Sequence, residues 1–484
     1  MHEGTSRSLM KTVAVHTIGC RLNQAETALL VNRFEELGYH PVPFGHPTDL
    51  LVVNTCTVTE EAEQDCWRAV RQTLRHSPHA IVAVTGCYAQ TGRDRLRQLP
   101  GVDFIIGNQY KMQLPDVLHW APRWKKRLKP TVLHSPRLDR AQFMQPGVGR
   151  YQTTRANLKI QDGCNFRCAF CLIPTARGRE RSRVMDDALR EAEQLVARGH
   201  RELVLTGVNI GRYREGDLDL LALIQRLERI AGLERIRISS IEPTTIPDGL
   251  LEYMASSPKL CRHLHVPLQS GDNAILQAMR RRYMVRDYVT WVERAAQCVP
   301  GLCLGTDLLV GFPGEEDPQF ANTLAIAKEL PFAYFHVFRY SPRPGTAAAR
   351  LPRRVPPAVI RERARLLNAL SRAKRLAFYQ THIGQTVRVL VEANDKHGVM
   401  TGLTDNYVKV GIPGDTPGSN QLVTVTITGV TDGLALGQLQ VGAQRPSRTL
   451  RIFMDYDQTS AWQRLQLESE MVMTSSIGNK RADV

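Results

Sequence analysis

Ten cysteines occur in a chain of 484 residues, and six of them fall into two groups of three that could bind metal. Cys164, Cys168 and Cys171 form a C-x3-C-x2-C run in DGCNFRCAFC, which puts three thiols on one short loop. A closed structural zinc site needs four ligands, and no second C-x2-C or nearby histidine pair completes one here. A [4Fe–4S] cluster also usually takes four cysteines. Held by three, it leaves one iron open to a chelating ligand from outside the chain. Cys20, Cys56 and Cys87 are far apart in sequence, yet each directly follows a short apolar run. The other four, Cys66, Cys261, Cys298 and Cys303, lie in apolar segments and read as small buried hydrophobes.

The runs before Cys20, Cys56 and Cys87 are TVAVHTIG, LLVVNT and AIVAVTG, of the kind that forms buried parallel strands. Helical patterns follow them. Leu30, Phe34 and Leu37 recur at helical spacing, and Gly38 offers a stop. This alternation predicts a doubly wound parallel α/β domain over residues 11–110. Carboxyl ends of parallel strands open on one edge, so the three cysteines would converge there and could hold a second cluster with an open iron. Three unrelated buried cysteines are the alternative.

Over residues 151–375 six further apolar runs alternate with helical stretches: LKIQDG, ELVLTG, RIRISS, HLHVPLQ, LCLGTDLLVG and FAYFHVF. They predict a partial or full (β/α) barrel, with a second doubly wound sheet as the alternative. The Cys164–Cys171 loop follows the first run, at the end of the barrel where chemistry sits. Polar and small residues follow the next runs: Gly207 and Asn209, then Ser240 and Glu242, then Gln269, with Asp307 inside the fifth. Small residues admit close backbone approach, and Glu242 can accept from ribose hydroxyls, so this set reads as cofactor-contacting. Residues 380–442 carry the alternating strands TVRVLVE, NYVKVGI and LVTVTITGV. They predict a small antiparallel β-barrel, either an RNA-binding or a purely structural module.

Lys and Arg number 63 against 47 Asp and Glu, a formal charge of +16. Residues 101–150 hold 9 basic and 3 acidic side chains, and residues 351–400 hold 10 and 3. The first window spans a basic connector, 111–150, with Arg123, Lys125, Lys126, Arg127 and Lys129. The second spans a helix with Arg361, Arg363, Arg365, Arg372, Lys374 and Arg375. Such a surplus points to an anionic partner, most often nucleic acid, or to a merely solvated basic face. A hydrophobic fraction of 43% with 23% charged residues excludes a disordered or fibrous chain. No run approaches about 18 apolar residues, so no membrane span is expected. The first ten residues lack an apolar signal core, which predicts a cytoplasmic protein in which disulfides are rare. Residues 443–484 show no periodicity and carry no assigned role.

With these residues in view, the chain resembles the radical SAM methylthiotransferases over about residues 11–442. The matching stretches are TIGCRLNQAET, VVNTCTVT, VTGCYAQ, KIQDGCNFRCAFCLIPTARGRERSR, SSIEP, HVPLQSGDNAILQAMRRRY, DLLVGFPGE and FRYSPRPGTAAA. The resemblance implies an N-terminal methylthiotransferase domain, a radical SAM partial (β/α) barrel and a C-terminal TRAM domain. It implies that Cys164, Cys168 and Cys171 bind the radical SAM cluster, whose open iron takes the amino and carboxylate groups of S-adenosylmethionine. Phe170, Gly207, Asn209, Ser240, Glu242, Gln269 and Asp307 would line that cofactor. Cys20, Cys56 and Cys87 would hold a second [4Fe–4S] cluster that carries or donates sulfur. One S-adenosylmethionine would methylate that sulfur, and another would give a 5′-deoxyadenosyl radical that takes hydrogen from C2 of an adenine.

The implied partners are a tRNA anticodon loop, a low-potential electron donor and a sulfur source. Within the family the chain is most similar to the branch acting on N6-threonylcarbamoyladenosine at tRNA position 37. The branches acting on isopentenyladenosine or on a ribosomal protein side chain typically carry Gln-Met or Pro-Lys where this chain has Arg21-Leu22. A non-enzymatic RNA-binding iron–sulfur protein is the competing reading from another class.

Overall fold

Short apolar runs ending in glycine, threonine or cysteine build the N-terminal layer. In the computed structural model β1 (Thr12–Thr17), β2 (His40–Pro41), β3 (Leu50–Thr55), β4 (Ile81–Gly86), β5 (Phe104–Ile106) and β6 (Thr131–Leu133) form one sheet. The strand order is β2-β1-β3-β4-β5-β6 and every pairing is parallel. The residues described are 11–120, 126, 128–136, 138, 147–151, 153–394, 399–412, 418–431 and 433–440. Arg123, Lys125 and Arg127 of the expected connector, and the tail 443–484, lie outside them.

β3 and β4 are buried at every position, which is why they read as unbroken apolar runs. Leu51, Val53, Val82 and Val84 face one core, and Leu50, Val52, Ile81 and Ala83 face another. The sheet is therefore covered on both sides, as doubly wound layers are. Residues 111–150 are more than a connector, since the helix Leu114–Trp120 packs on this layer and β6 pairs with β5. Lys126 there donates to the Gly101 carbonyl and to Asp103, each at 3.0 Å. A three-residue strand among charged residues is too short to show a period of two.

The central segment supplies six parallel strands. β7 (Ala156–Lys159), β10 (Glu202–Thr206) and β13 (Arg235–Ile238) form one run, and β14 (His263–His265), β15 (Cys303–Val310) and β16 (Tyr334–Arg339) form another. Parallel bridges at Ile236–Leu260 and Ser240–His265 join them. Two-residue ladders, β8 (Gln161–Asp162) with β9 (Arg181–Ser182) and β11 (Arg214–Glu215) with β12 (Leu218–Asp219), decorate the loops. Among the described residues β7 and β16 do not pair, so the barrel is partial. The N-terminal helix Arg21–Glu36 packs against β7.

β17 (Thr386–Asn394), β18 (Met400–Thr404), β19 (Lys409–Ile412), β20 (Leu422–Thr431) and β21 (Leu434–Leu439) close a small barrel. Its core is Val389, Val391, Val410, Ile412, Val425 and Ile427. One pairing, β19 with β21, is parallel, so the expected antiparallel barrel holds for the other four.

The basic helix Pro357–Gln380 leads into this barrel, and part of its charge is structural. Arg363 is buried against Glu315 and Asp317, each at 2.7 Å, and Lys374 donates to the Leu330 carbonyl at 2.7 Å. Among the described residues, no helix is long and apolar enough to cross a membrane. Cys66, Cys261 and Cys303 are buried, and Cys298 is half-buried against the central core.

Candidate functional site

Parallel topology delivers Cys20, Cys56 and Cys87 to one edge of the N-terminal sheet. Cys20 caps the helix Arg21–Glu36 after β1, Cys56 follows β3 directly, and Cys87 opens a helix after β4. Two glycines let the loops close in. Gly19 has φ +112°, and a Cβ there would stand 2.6 Å from Cys56 Cβ and 3.1 Å from its Sγ. Gly86 has φ +97°, and its Cβ would meet the backbone N and O of Thr55 at 2.5 Å. Burial pushes the Cys56 thiol up to about 12, and the nearby Cys87 and Cys20 thiolates push the same way. The close approach at Gly19 and Gly86 brings the three cysteine-bearing loops together at this edge.

The second set sits on the loop after β7 and β8. Gly163, at φ +70°, lets the chain turn under the Arg179 carbonyl, and the Cys164 amide donates to the Gly178 carbonyl at 3.1 Å. Each sulfur accepts from a fixed N–H: Cys164 from Phe166 N at 3.3 Å, Cys171 from Ile173 N at 3.4 Å, and Cys168 from Arg281 Nη1 at 3.3 Å. Burial pushes Cys164 up to about 11 and Cys171 to about 12. A metal entering this loop must therefore displace protons. Three soft sulfurs with N–H groups aimed at them suit an iron–sulfur cluster, whose sulfurs take such hydrogen bonds.

A buried polar network joins the two sets. The helix Cys87–Thr91 packs against the helix Ile173–Arg177 that follows Cys171. Asn108 Nδ2 lies 3.8 Å from Cys87 Sγ and donates to the Ala176 carbonyl at 2.6 Å. Arg177 donates to both oxygens of Glu26, at 2.8 and 3.0 Å, and to Asn23 Oδ1 at 2.7 Å. Asn23 in turn donates to the carbonyls of Ile18 and Thr55. Lys111 and Lys159 also grip Glu26, at 2.5 and 2.8 Å. Asp162 takes Lys159 at 2.9 Å, Arg181 at 3.0 Å and Arg177 at 3.2 Å. Burial would raise the Glu26 carboxyl, but Arg177, Lys111 and Lys159 outweigh it and hold it well below the usual range.

The residues expected to line the cofactor fall into separate groups. Glu242 pairs with Arg281, which also reaches Cys168, so this carboxylate does stand beside the cysteine loop. A Cβ on Gly207 would meet the Gln161 carbonyl at 2.8 Å, and Gln161 Oε1 accepts from the amides of Val208 and Asn209. Asn209 Oδ1 accepts from Thr245 at 3.0 Å, while its buried Nδ2 has no partner among the described residues, an open donor at a strand end. Ser240 bridges His265, and the Gln269 amide donates to the Asp307 carbonyl at 2.8 Å. Phe170 packs edge-on to Phe312 in an apolar patch with Ala169 and Ile275.

Asp307 accepts from His265 at 2.8 Å and His336 at 3.2 Å. Burial would raise its carboxyl, but those imidazoles hold it at about 2. One ligand atom from each of these three residues lies within 4.8 Å of the others, a geometry a metal ion could use. Arg281, Gln161, Arg177 and the two histidines were not singled out from the sequence. Nothing local distinguishes Arg281 from its neighbours Arg280 and Arg282.

Three family models match the chain. The Radical SAM superfamily matches residues 158–327, the Uncharacterized protein family UPF0004 residues 12–107, and the TRAM domain residues 380–439. The threonylcarbamoyladenosine tRNA methylthiotransferase MtaB of Bacillus subtilis is 37% identical, over 86% of this chain and 94% of that protein. The chain belongs to the radical SAM methylthiotransferase family. The protein of the same name from Aquifex aeolicus is 36% identical, over 82% of this chain and 96% of its own length. A tRNA-2-methylthio-N(6)-dimethylallyladenosine synthase of Coxiella burnetii is 34% identical, over 86% and 97%. As a member of this family the chain takes [4Fe–4S] clusters and S-adenosylmethionine as cofactors. The two thiol triads just described are chemically fitted to hold the clusters.

Proposed function

We propose that this enzyme installs a methylthio group at C2 of N6-threonylcarbamoyladenosine 37 in tRNA. The observation that carries the reading is the joining of the two cysteine triads through Arg177, in a chain 37% identical to a methylthiotransferase named for that nucleoside. An aromatic C2–H has no acidic proton, so side-chain acid–base chemistry achieves little there. The bound clusters and S-adenosylmethionine supply the one-electron and sulfur chemistry.

The chain's own residues hold and aim. Cys164, Cys168 and Cys171 take one cluster, and Cys20, Cys56 and Cys87 the other. Arg281 donates to Cys168 and to Glu242, holding that carboxylate beside the cysteine loop, where it would accept from the cofactor's ribose hydroxyls. The unpartnered Asn209 amide is a second polar contact at the same rim. Phe170, Gly207, Ser240, Gln269 and Asp307 complete the expected lining. An anticodon loop presents splayed bases, so a single base can enter without a duplex groove being read. Basic side chains not consumed internally, such as Arg361 and Arg372, and the small barrel would hold its phosphates, with affinity falling as salt rises. The reaction also requires a low-potential electron donor and a sulfur source, and a tRNA substrate places the enzyme in the cytoplasm.

The test is anaerobic reconstitution with S-adenosylmethionine, a low-potential reductant and tRNA carrying threonylcarbamoyladenosine, followed by nucleoside mass spectrometry. The methylthio derivative of that nucleoside is expected. Absence of that product, with turnover of tRNA carrying isopentenyladenosine in a parallel reaction, would overturn the substrate assignment.

A further inference from the structure

Several buried cations facing the central strands are matched by carboxylates, whereas among the described residues Arg21 and Arg375 are not, Arg375 lying over the Tyr334 ring at 5.5 Å from its centroid. Lys159 and Arg177 have Glu26, Arg237 has Glu202, and Arg281 has Glu242. Arg21, the residue after Cys20, is half-buried, and its only hydrogen-bond partner among the described residues is the Tyr407 hydroxyl, at 3.3 Å. Tyr407 comes from the small C-terminal barrel and is held at φ +67°, a conformation that a bulky residue keeps only under constraint from its surroundings.

The Tyr407 ring stacks on His263 with centroids 4.3 Å apart, and Tyr334 lies 6.0 Å away. His263 and Tyr334 belong to β14 and β16, so the hydroxyl that Arg21 meets is carried by a ring packed on the central strands. Among the described residues Arg21 thus has a neutral hydroxyl as its partner and no carboxylate. Guanidinium groups bind carboxylates through paired N–H donors, and the bond strengthens away from bulk water.

We propose that Arg21, positioned by Tyr407, receives the carboxylate of the substituent on N6 of the target adenine. The inference rests on the substrate reading above and names the residue that would enforce it. In adenine only N1 separates C2 from C6. With C2 at the cluster held by Cys20, the N6 substituent starts two ring atoms away, a short distance from the residue that follows Cys20. A threonylcarbamoyl group ends in a carboxylate, whereas an isopentenyl group is a hydrocarbon and leaves the cation unmatched. A site built to bind a polar group rejects analogues lacking it far more strongly than an apolar pocket rejects a missing methylene.

The experiment measures binding and turnover of the reconstituted full-length enzyme on one tRNA prepared with either threonylcarbamoyladenosine or plain adenosine at position 37. Wild type is expected to bind the threonylcarbamoyl form more tightly. In Arg21→Met that advantage disappears, with kcat/KM on the modified tRNA down about a hundredfold and affinity for the plain tRNA unchanged. Arg21→Lys retains part of the advantage, and Tyr407→Phe reduces it while leaving iron content intact. If Arg21→Met weakens both tRNAs equally, the residue grips a phosphate or merely docks the barrel, and the proposal is overturned. Retention of the full preference by Arg21→Met overturns it too. Absence of any preference in wild type would instead remove the substrate reading on which it stands.

Discussion

The Arg177 guanidinium donates to the Asn23 side-chain oxygen at 2.7 Å, between residues 154 positions apart in sequence. Arg177 closes the helix that follows Cys171, and Asn23 lies in the first turn of the helix that Cys20 caps. Asn23 also binds the carbonyl of Thr55, one residue before Cys56. One contact thus sets the register between two sulfur sets carried by different layers. Arg177 also pairs with the buried carboxylates of Glu26 and Asp162, so the junction is ionic as well as polar.

Removing that cation should be costly. Arg177→Met leaves two buried carboxylates short of a partner and should destabilise the protein by about 3–5 kcal/mol. Arg177→Lys keeps the charge but cannot bond Asn23 and both oxygens of Glu26 together, so an intermediate loss is expected. Denaturant titration of the three proteins checks the order. Equal stability of Arg177→Met and wild type would contradict the junction's role.

The glycine preceding a cysteine can be tested without touching a sulfur. In Gly86→Ala the new Cβ meets the Thr55 backbone at 2.5 Å, at a φ of +97° that alanine strongly disfavours. Cys87 must shift, and iron should fall from about eight to about four per chain, as expected for loss of one four-iron cluster. Alanine at Cys20, Cys56 and Cys87 together should give the same loss. Iron analysis with Mössbauer spectroscopy of the remaining cluster reads the result, and full iron in both variants would contradict the assignment of this triad.

A pH dependence follows from His263. Burial, Arg237 and His265 hold its imidazole well below 6.5, so it stays neutral in the folded state. In the unfolded chain it takes a proton near pH 6.5, and below that pH the unfolded state binds more protons. Its contribution to stability is therefore whole above pH 6.5 and is lost as pH falls, by up to about 1.4 kcal/mol per pH unit. The stability gap between wild type and His263→Gln should narrow from pH 7.5 to 5.5. Parallel melting curves across that range would count against it.

Much of this was legible in the sequence, because period and spacing carry local information. Strands buried on both faces announce themselves as apolar runs, and the three that end at Cys20, Cys56 and Cys87 lie where expected. All six central strands match their runs. The Arg177, Glu26 and Asp162 network was not legible, since its members pair across layers and each looks like an ordinary surface charge in its own segment. The same holds for Arg21 and Tyr407, 386 positions apart. β6 was missed for another reason, its three residues being too few to show alternation. Arg363 and Lys374 counted toward a nucleic-acid face, yet both are turned inward.

The most direct measurement is nucleoside mass spectrometry of bulk tRNA from a strain lacking this gene. The account predicts that the methylthio mark disappears from threonylcarbamoyladenosine while the mark on isopentenyladenosine persists. Persistence of both marks, or loss of the isopentenyl-type mark alone, would contradict it.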